Sequence, residues 1–415
     1  MDYDRIVNRA GMVSAAGILF MTTLNGTAHG AGTDVTVQGR RTLPQRLAAE
    51  RVAVGNLGDY KPCIAKLPCG ELIMIAFRRE LLGGDRFHEP VILYRSQDGG
   101  RSWSTVEVLD ALGREPYLSL MDDGTLFVTS HMLHNDAKSE ADYGYSYLHR
   151  STDGGRSWQR LAVTADALPG CPAKPKWILT SRNLLKLADG SIVFGVDVRG
   201  TGQYLWRSRD GGVTWDKSIR CTFMAKGIAD KPAEAWWPSG VAESIFFQAR
   251  NGDLLWILRV ESDKFAPIPD TTVVEMISDQ YERLVVFRST DGGTVWRLQE
   301  EIGSHYGEMY PAVLRLNDGR LLLTFTVRAV RPPLGVHAVF GRETPDGFEF
   351  DFEHDRMVID DKTPQGLTSG GGFGPTVQLD DGTLINAHSY RVVESDEPHL
   401  QTRIEVVRWK LPPAP

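Results

Sequence analysis

Arg95-Ser96-Gln97-Asp98-Gly99-Gly100-Arg101-Ser102-Trp103 is a turn device, and the chain repeats it. The pattern Arg-Ser-x-Asp-Gly-Gly-x-x-Trp returns at Arg150 to Trp158, Arg207 to Trp215 and Arg288 to Trp296, at intervals of 55 to 81 residues. Recurrence on that scale marks an array of similar units. Within the phrase the Asp side chain can satisfy turn amides, the glycines supply positive φ, and the Trp anchors a short hairpin in apolar surroundings. The aspartates therefore read as structural.

Around each phrase lies a wider unit: an apolar strand, a tight turn and a second apolar strand. The turns include Asp123-Gly124, Asp189-Gly190, Asn251-Gly252, Asp318-Gly319 and Asp381-Gly382, with a degenerate Cys69-Gly70 before them. Their glycines fall at 70, 124, 190, 252, 319 and 382. Six units of about four strands predict an all-β chain, a six-bladed β-propeller of four-stranded antiparallel blades, over residues 51–415.

At 415 residues the chain could hold several domains, but a repeat array absorbs that length in one. A net charge of −7 with no long Lys/Arg run argues against a nucleic-acid partner and leaves room for a local basic pocket. No long apolar stretch after the start predicts a membrane span. Arg5 and Arg9 precede an apolar run and small residues near Ala28, the pattern of a signal peptide over residues 1–30. A polar linker is expected over 31–50, and a secreted or periplasmic location follows. In an exported chain Cys171 could bridge to Cys221, with free buried thiols as the other reading. No metal-ligand pattern is present, and no cofactor is implied.

The turns between first and second strands share one rim with the Trp phrases. The opposite rim gathers residues that begin first strands and end second strands. It carries Tyr60, Lys61, Arg78 and Arg79, then Arg114, Glu115 and His131, then Arg182, then Glu243 and Arg259, then Tyr310, Arg328 and Arg331, and finally Phe373, His388, Tyr390 and Arg391. Arginines, carboxylates and aromatics around one axial mouth suit an anionic, ring-shaped ligand, because the planar guanidinium donates two parallel hydrogen bonds to a carboxylate. Trp236-Trp237 could stack a sugar, and residues 262–281 could form a loop over the mouth.

The repeated phrase resembles the Asp box of the sialidase superfamily, whose members are six-bladed propellers; the resemblance covers roughly residues 55 to 412. It implies a role for several residues. Glu243 and Arg259, 16 residues apart around Asn251-Gly252, match the family's Glu and one of its carboxylate-gripping arginines. Arg331 matches a further arginine, and Asp85 the acid/base aspartate. Two positions depart. Tyr60, followed by Lys61, stands where the family has an arginine. Phe373 stands where it has its nucleophilic tyrosine, and a phenyl ring cannot form a covalent intermediate. Either another tyrosine substitutes, Tyr310, Tyr306 or Tyr390, or Glu243 activates water and the reaction inverts.

The expectation is a secreted, sialidase-like glycoside hydrolase that releases a terminal acidic sugar from a glycan or polysaccharide. Asp85, Glu243 and Tyr310 are the catalytic candidates. Arg79, Arg259, Arg331, His131, His388, Tyr60 and Phe373 are expected to bind substrate. A lyase acting on uronate glycans would use the same arginines, with His131, His388 or Tyr310 removing the proton. A non-catalytic glycan-binding propeller is the third reading.

Overall fold

The computed structural model describes residues 34–84, 86–109, 111, 113–224, 243–261, 282–299, 302, 304–362, 375–392 and 401–412. Asp85, Phe373, Trp236-Trp237, the 262–281 segment and the expected signal peptide lie outside these residues.

The regular secondary structure of the described chain is almost wholly β-strand, and its strands pair in antiparallel runs in chain order. One run is Asp59–Lys66, Leu72–Arg78, Val91–Ser96 and Glu107–Val108; the next is Arg114–Leu120, Leu126–Met132, Tyr145–Ser151 and Gln159–Val163. Ile192–Val198, Gly202–Ser208 and Asp216–Met224 follow, then Ile245–Gln248, Leu254–Glu261, Glu282–Ser289 and Val295–Leu298. These two runs are joined at their outer strands by parallel pairing of Thr222 with Val295. Glu308–Arg315, Leu321–Val327 and Gly335–Thr344 come next. The last run is Val377–Gln378, Leu384–Arg391 and Thr402–Trp409.

Local chemistry makes each hairpin. Gly70, Gly124, Gly190, Gly252, Gly319 and Gly382 all have φ between 82° and 92°, a region that costs other residues a Cβ clash. Each donates its N–H across the turn; that of Gly382 reaches the Leu379 carbonyl at 2.9 Å. In the Trp phrase, Ser96 Oγ donates to Asp98 at 2.8 Å, and the amides of Arg101 and Ser102 both donate to the same carboxylate at 2.9 Å. The Ser102 hydroxyl and amide, ahead of the other donors, hold the Asp98 carboxyl far below the usual range. Asp153 and Asp210 are fastened in the same way. These aspartates close turns.

Apolar clusters lie between successive runs. Val193 and Leu205 pack with Phe246, Trp256 and Trp296 of the following run, and all five are buried. Ile64, Met74 and Tyr94 pack with Ile385, Ile404 and Val406, which brings the last run against the first. The strand Ala49–Val54 completes the closure by pairing with Thr402–Trp409, Ala49 opposite Trp409. Val35–Gln38 and Arg46–Leu47, inside the stretch expected to be a linker, add strands beside Arg356–Val358. Their apolar residues Val35, Val37 and Leu47 are buried, which is what draws them onto the sheet. Cys63, Cys69, Cys171 and Cys221 are all free thiols, so Cys171 and Cys221 are not bridged. Among the described residues no helix is long and apolar enough to cross a membrane.

Three first strands share a distortion. Lys61, Glu115 and Tyr310 adopt φ of 48°, 52° and 58°, and each precedes a proline: Pro62, Pro116 and Pro311. The strand register slips at each place, between Tyr60 and Cys63, Arg114 and Tyr117, and Met309 and Ala312. A non-glycine residue in this conformation costs on the order of 1–3 kcal/mol, so the surrounding structure must hold it there. All three side chains meet at one cavity.

Candidate functional site

The cavity has a volume of about 480 Å³. Tyr60, Lys61, Glu115, Glu243, Arg259 and Tyr310 line it, together with Arg79, Glu89, Arg114, Arg328 and Arg391. Five arginines and a lysine thus face three carboxylates, in a chain whose net charge is −7. The site is locally cationic against the charge of the whole.

Its floor is a buried ion network. Lys61 Nζ lies 2.6 Å from Glu115 Oε1 and 3.2 Å from the Tyr310 hydroxyl. Arg182 Nη2 lies 2.7 Å from Glu115 Oε2 and 3.3 Å from Glu243 Oε1. Burial pushes the Glu115 carboxyl upward, but Lys61, Arg114 and Arg182 outweigh it and hold the group well below the usual range. Burial alone would push Lys61 downward; Glu115, Tyr310 and Tyr60 leave it raised instead. Burial lowers Arg182, with Glu115 opposing the shift.

The walls carry the remaining cations. Arg259 forms ion pairs with Glu243 and with Glu282, whose side chain is fully buried. Arg79 Nε donates to Glu89 at 2.7 Å and stacks over Phe87 at 4.4 Å. Arg328 Nη1 donates to the Tyr310 hydroxyl at 2.9 Å. Arg391 sits over the ring of Tyr60 at 5.8 Å. Burial would raise the Tyr60 phenol, but Lys61, Arg328 and Arg391 outweigh it and lower the group.

Of the residues expected from the sequence, Tyr60, Arg79, Glu243, Arg259 and Tyr310 come together here. Three others sit elsewhere. Arg331 is outside the cavity lining, with its exposed side chain 3.8 Å from Glu353. Leu321–Val327 ends immediately before Arg328, so Arg328 occupies the wall and the following loop carries Arg331 away. His388 is fully buried, with Nε2 3.6 Å from Asp360 and from Glu405. It lies three residues inside the end of Leu384–Arg391, and Arg391 is the residue of that strand at the cavity. His131 stands behind Glu115 at 4.0 Å, and burial pushes its imidazole down to about 3, which keeps it neutral. Lys61, Glu115, Arg182, Arg114, Arg328 and Arg391 were visible on the predicted rim but not chosen. The signal that could have found Lys61 and Glu115 was the proline early in a first strand, which follows each of them as it follows Tyr310.

A cavity of this kind can bind a carboxylate between guanidinium groups, and its phenols and carboxylates offer proton acceptors beside it. Glu243 is committed to Arg259 and Arg182, which suits it to fixing the cation better than to activating water.

No family model matches the chain, and no curated protein matches it. Solved structures do. A protein of unknown function from Dyadobacter fermentans is 19% identical over 88% of this chain and 98% of its own, with a TM-score of 0.60. The leech intramolecular trans-sialidase, solved with 2,7-anhydro-Neu5Ac, is 12% identical over 86% of this chain and 69% of its own, with a TM-score of 0.58. The intramolecular trans-sialidase from Ruminococcus gnavus is 13% identical over 85% of this chain and 94% of its own, with a TM-score of 0.57. Identities this low speak for the fold: the chain is an all-β protein with a sialidase-like β-propeller fold.

Proposed function

We propose that this chain is a six-bladed propeller that works as an exported, sialidase-like glycoside hydrolase and releases a terminal acidic sugar, sialic acid or a relative, from a glycan. The observation that carries the reading is the cationic cavity in an otherwise acidic chain. Arg259, Arg79 and Arg328 would hold the sugar's carboxylate, with Arg328 in the place expected for Arg331. Glu243 would keep Arg259 oriented. Asp85, by its match to the acid/base position, would protonate the leaving oxygen. Phe373 leaves the usual phenol missing, so the attacking oxygen would come from another group on the cavity wall or from water.

A uronate lyase is the second reading, favoured by the donors that Lys61 and Arg328 direct at the Tyr310 oxygen. Tyr310 would accept the proton on that oxygen, and the negative charge developing on the uronate carboxylate would be met by the cavity's arginines. Incubation with a panel of sialosides and uronate glycans separates these readings. Free acidic sugar from native protein, lost in Arg259→Ala, is the expected result. Ultraviolet absorbance of an unsaturated uronate would replace hydrolysis with elimination. Saturable binding with no product from any glycan would make the cavity a lectin site.

A further inference from the structure

Two phenols line the cavity, and they are differently engaged. The Tyr310 hydroxyl is held by Lys61 at 3.2 Å and Arg328 at 2.9 Å. The half-buried Tyr60 lines the same cavity, and no hydrogen bond to its hydroxyl is found among the described residues. Its ring is fixed: Phe77, its partner across the strand pair, lies 5.5 Å away between centroids. Cations come at it from three elements. Lys61, next in its own strand, has Nζ 5.4 Å from the ring centroid, and Arg391 at the end of Leu384–Arg391 has its guanidinium carbon 5.8 Å away. Arg328, just after Leu321–Val327, is the third; the Glu115 carboxylate opposes them, and Glu89 and Glu243 line the same cavity.

We propose that Tyr60 is the nucleophile of this site, with the cations of Lys61, Arg328 and Arg391 around its phenol in place of a general base. The inference rests on the hydrolase reading. The Tyr60 oxygen bonds to the anomeric carbon as the bond from that carbon to the leaving oxygen breaks. The leaving oxygen takes a proton from the general acid, assigned above to Asp85. Water then attacks the same carbon and gives its proton to the resulting carboxylate. The bond to Tyr60 breaks, and phenolate and acid are both restored. Two displacements retain the configuration of the sugar. The arrangement explains why Glu243 can be tied to Arg182 and Arg259: no carboxylate is needed to deprotonate the phenol. The downward shift of the Tyr60 phenol fits this use.

Two measurements on the full chain test the assignment. Tyrosine ionisation, followed by ultraviolet absorbance against pH, needs no substrate. One tyrosine should ionise below the range of the others. That step should vanish in Tyr60→Phe, survive in Tyr310→Phe, and move to higher pH in Arg391→Gln. With a slowly turned-over fluorinated acidic glycosyl donor, mass spectrometry should then find the adduct on the peptide bearing Tyr60. Tyr60→Phe should lower kcat/KM by at least about a hundredfold, the lower end for a group acting at the reacting centre. A low-pH ionisation that persists in Tyr60→Phe, or an adduct on any other residue, overturns the proposal. The expected titration with no acidic glycoside turned over would uphold the phenolate and refute the hydrolase reading.

Discussion

Arg259→Ala is expected to lose acidic-sugar binding and to unfold at distinctly lower denaturant than the native chain. Arg259 lies between Glu243 and Glu282, and the Glu282 side chain is fully buried. Truncating the guanidinium would leave two carboxylates facing one another without their shared cation. Breaking a buried pair by removing one partner costs about 3–5 kcal/mol. The same truncation removes a bidentate donor for the ligand carboxylate, worth about 2–5 kcal/mol in binding, or roughly three-hundredfold in affinity at the middle of that range. The stability loss could mask the binding loss. Arg259→Lys separates them: it keeps the charge between the glutamates but loses the planar fork. We expect Lys to recover much of the stability and little of the affinity, read by urea unfolding and by titration calorimetry.

The second large effect is expected at Glu115. Lys61, Arg182 and Arg114 converge on this one carboxylate, at 2.6, 2.7 and 3.4 Å. Glu115→Gln should destabilise the fold by about 3–5 kcal/mol at neutral pH, because Lys61 and Arg182 stay buried and lose the Glu115 charge, while Arg182 keeps only its longer contact with Glu243. The pH dependence has a definite sign. Burial opposes but does not prevent the depression of the Glu115 carboxyl by its cations. A depressed carboxyl stabilises the fold at pH above its unfolded value, about 4.3, and that contribution fades as acid titrates it through the lower folded value. Native protein should therefore lose stability steeply in acid, and Glu115→Gln should lose less over the same interval. Urea midpoints measured from neutral pH down to about pH 3 would show the two curves converging. Parallel curves would mean that Glu115 is not the group being protonated.

Much of the fold was legible because its signals are local. A glycine at positive φ and an aspartate that satisfies its own turn depend on neighbours a few residues away, so Asp98-Gly99-Gly100 and Asp381-Gly382 announce hairpins wherever they stand. The rim was legible for the same reason, since strand order fixes which ends face together. Choosing among rim residues was harder. Alternation along Leu384–Arg391 sends His388 into the protein and Arg391 to the cavity, and a reading by position in the strand alone does not separate them. Likewise the loop after Val327 decides between Arg328 and Arg331. The bulges at Lys61, Glu115 and Tyr310 were hidden more deeply. A residue before proline is ordinarily extended, so local preference points away from the conformation that the cavity imposes. Val35–Gln38 joins the sheet through partners more than 300 residues away, which no local pattern reveals.

The central assertion is that the cavity recognises a sugar by its carboxylate. The direct measurement compares binding of N-acetylneuraminic acid with that of its carboxyl-reduced counterpart, at low and at high salt. The acid should bind saturably, weaken as salt rises, and exceed the reduced sugar by about a hundredfold or more. Equal affinity for the two sugars, or an affinity indifferent to Arg259→Lys, would contradict the account.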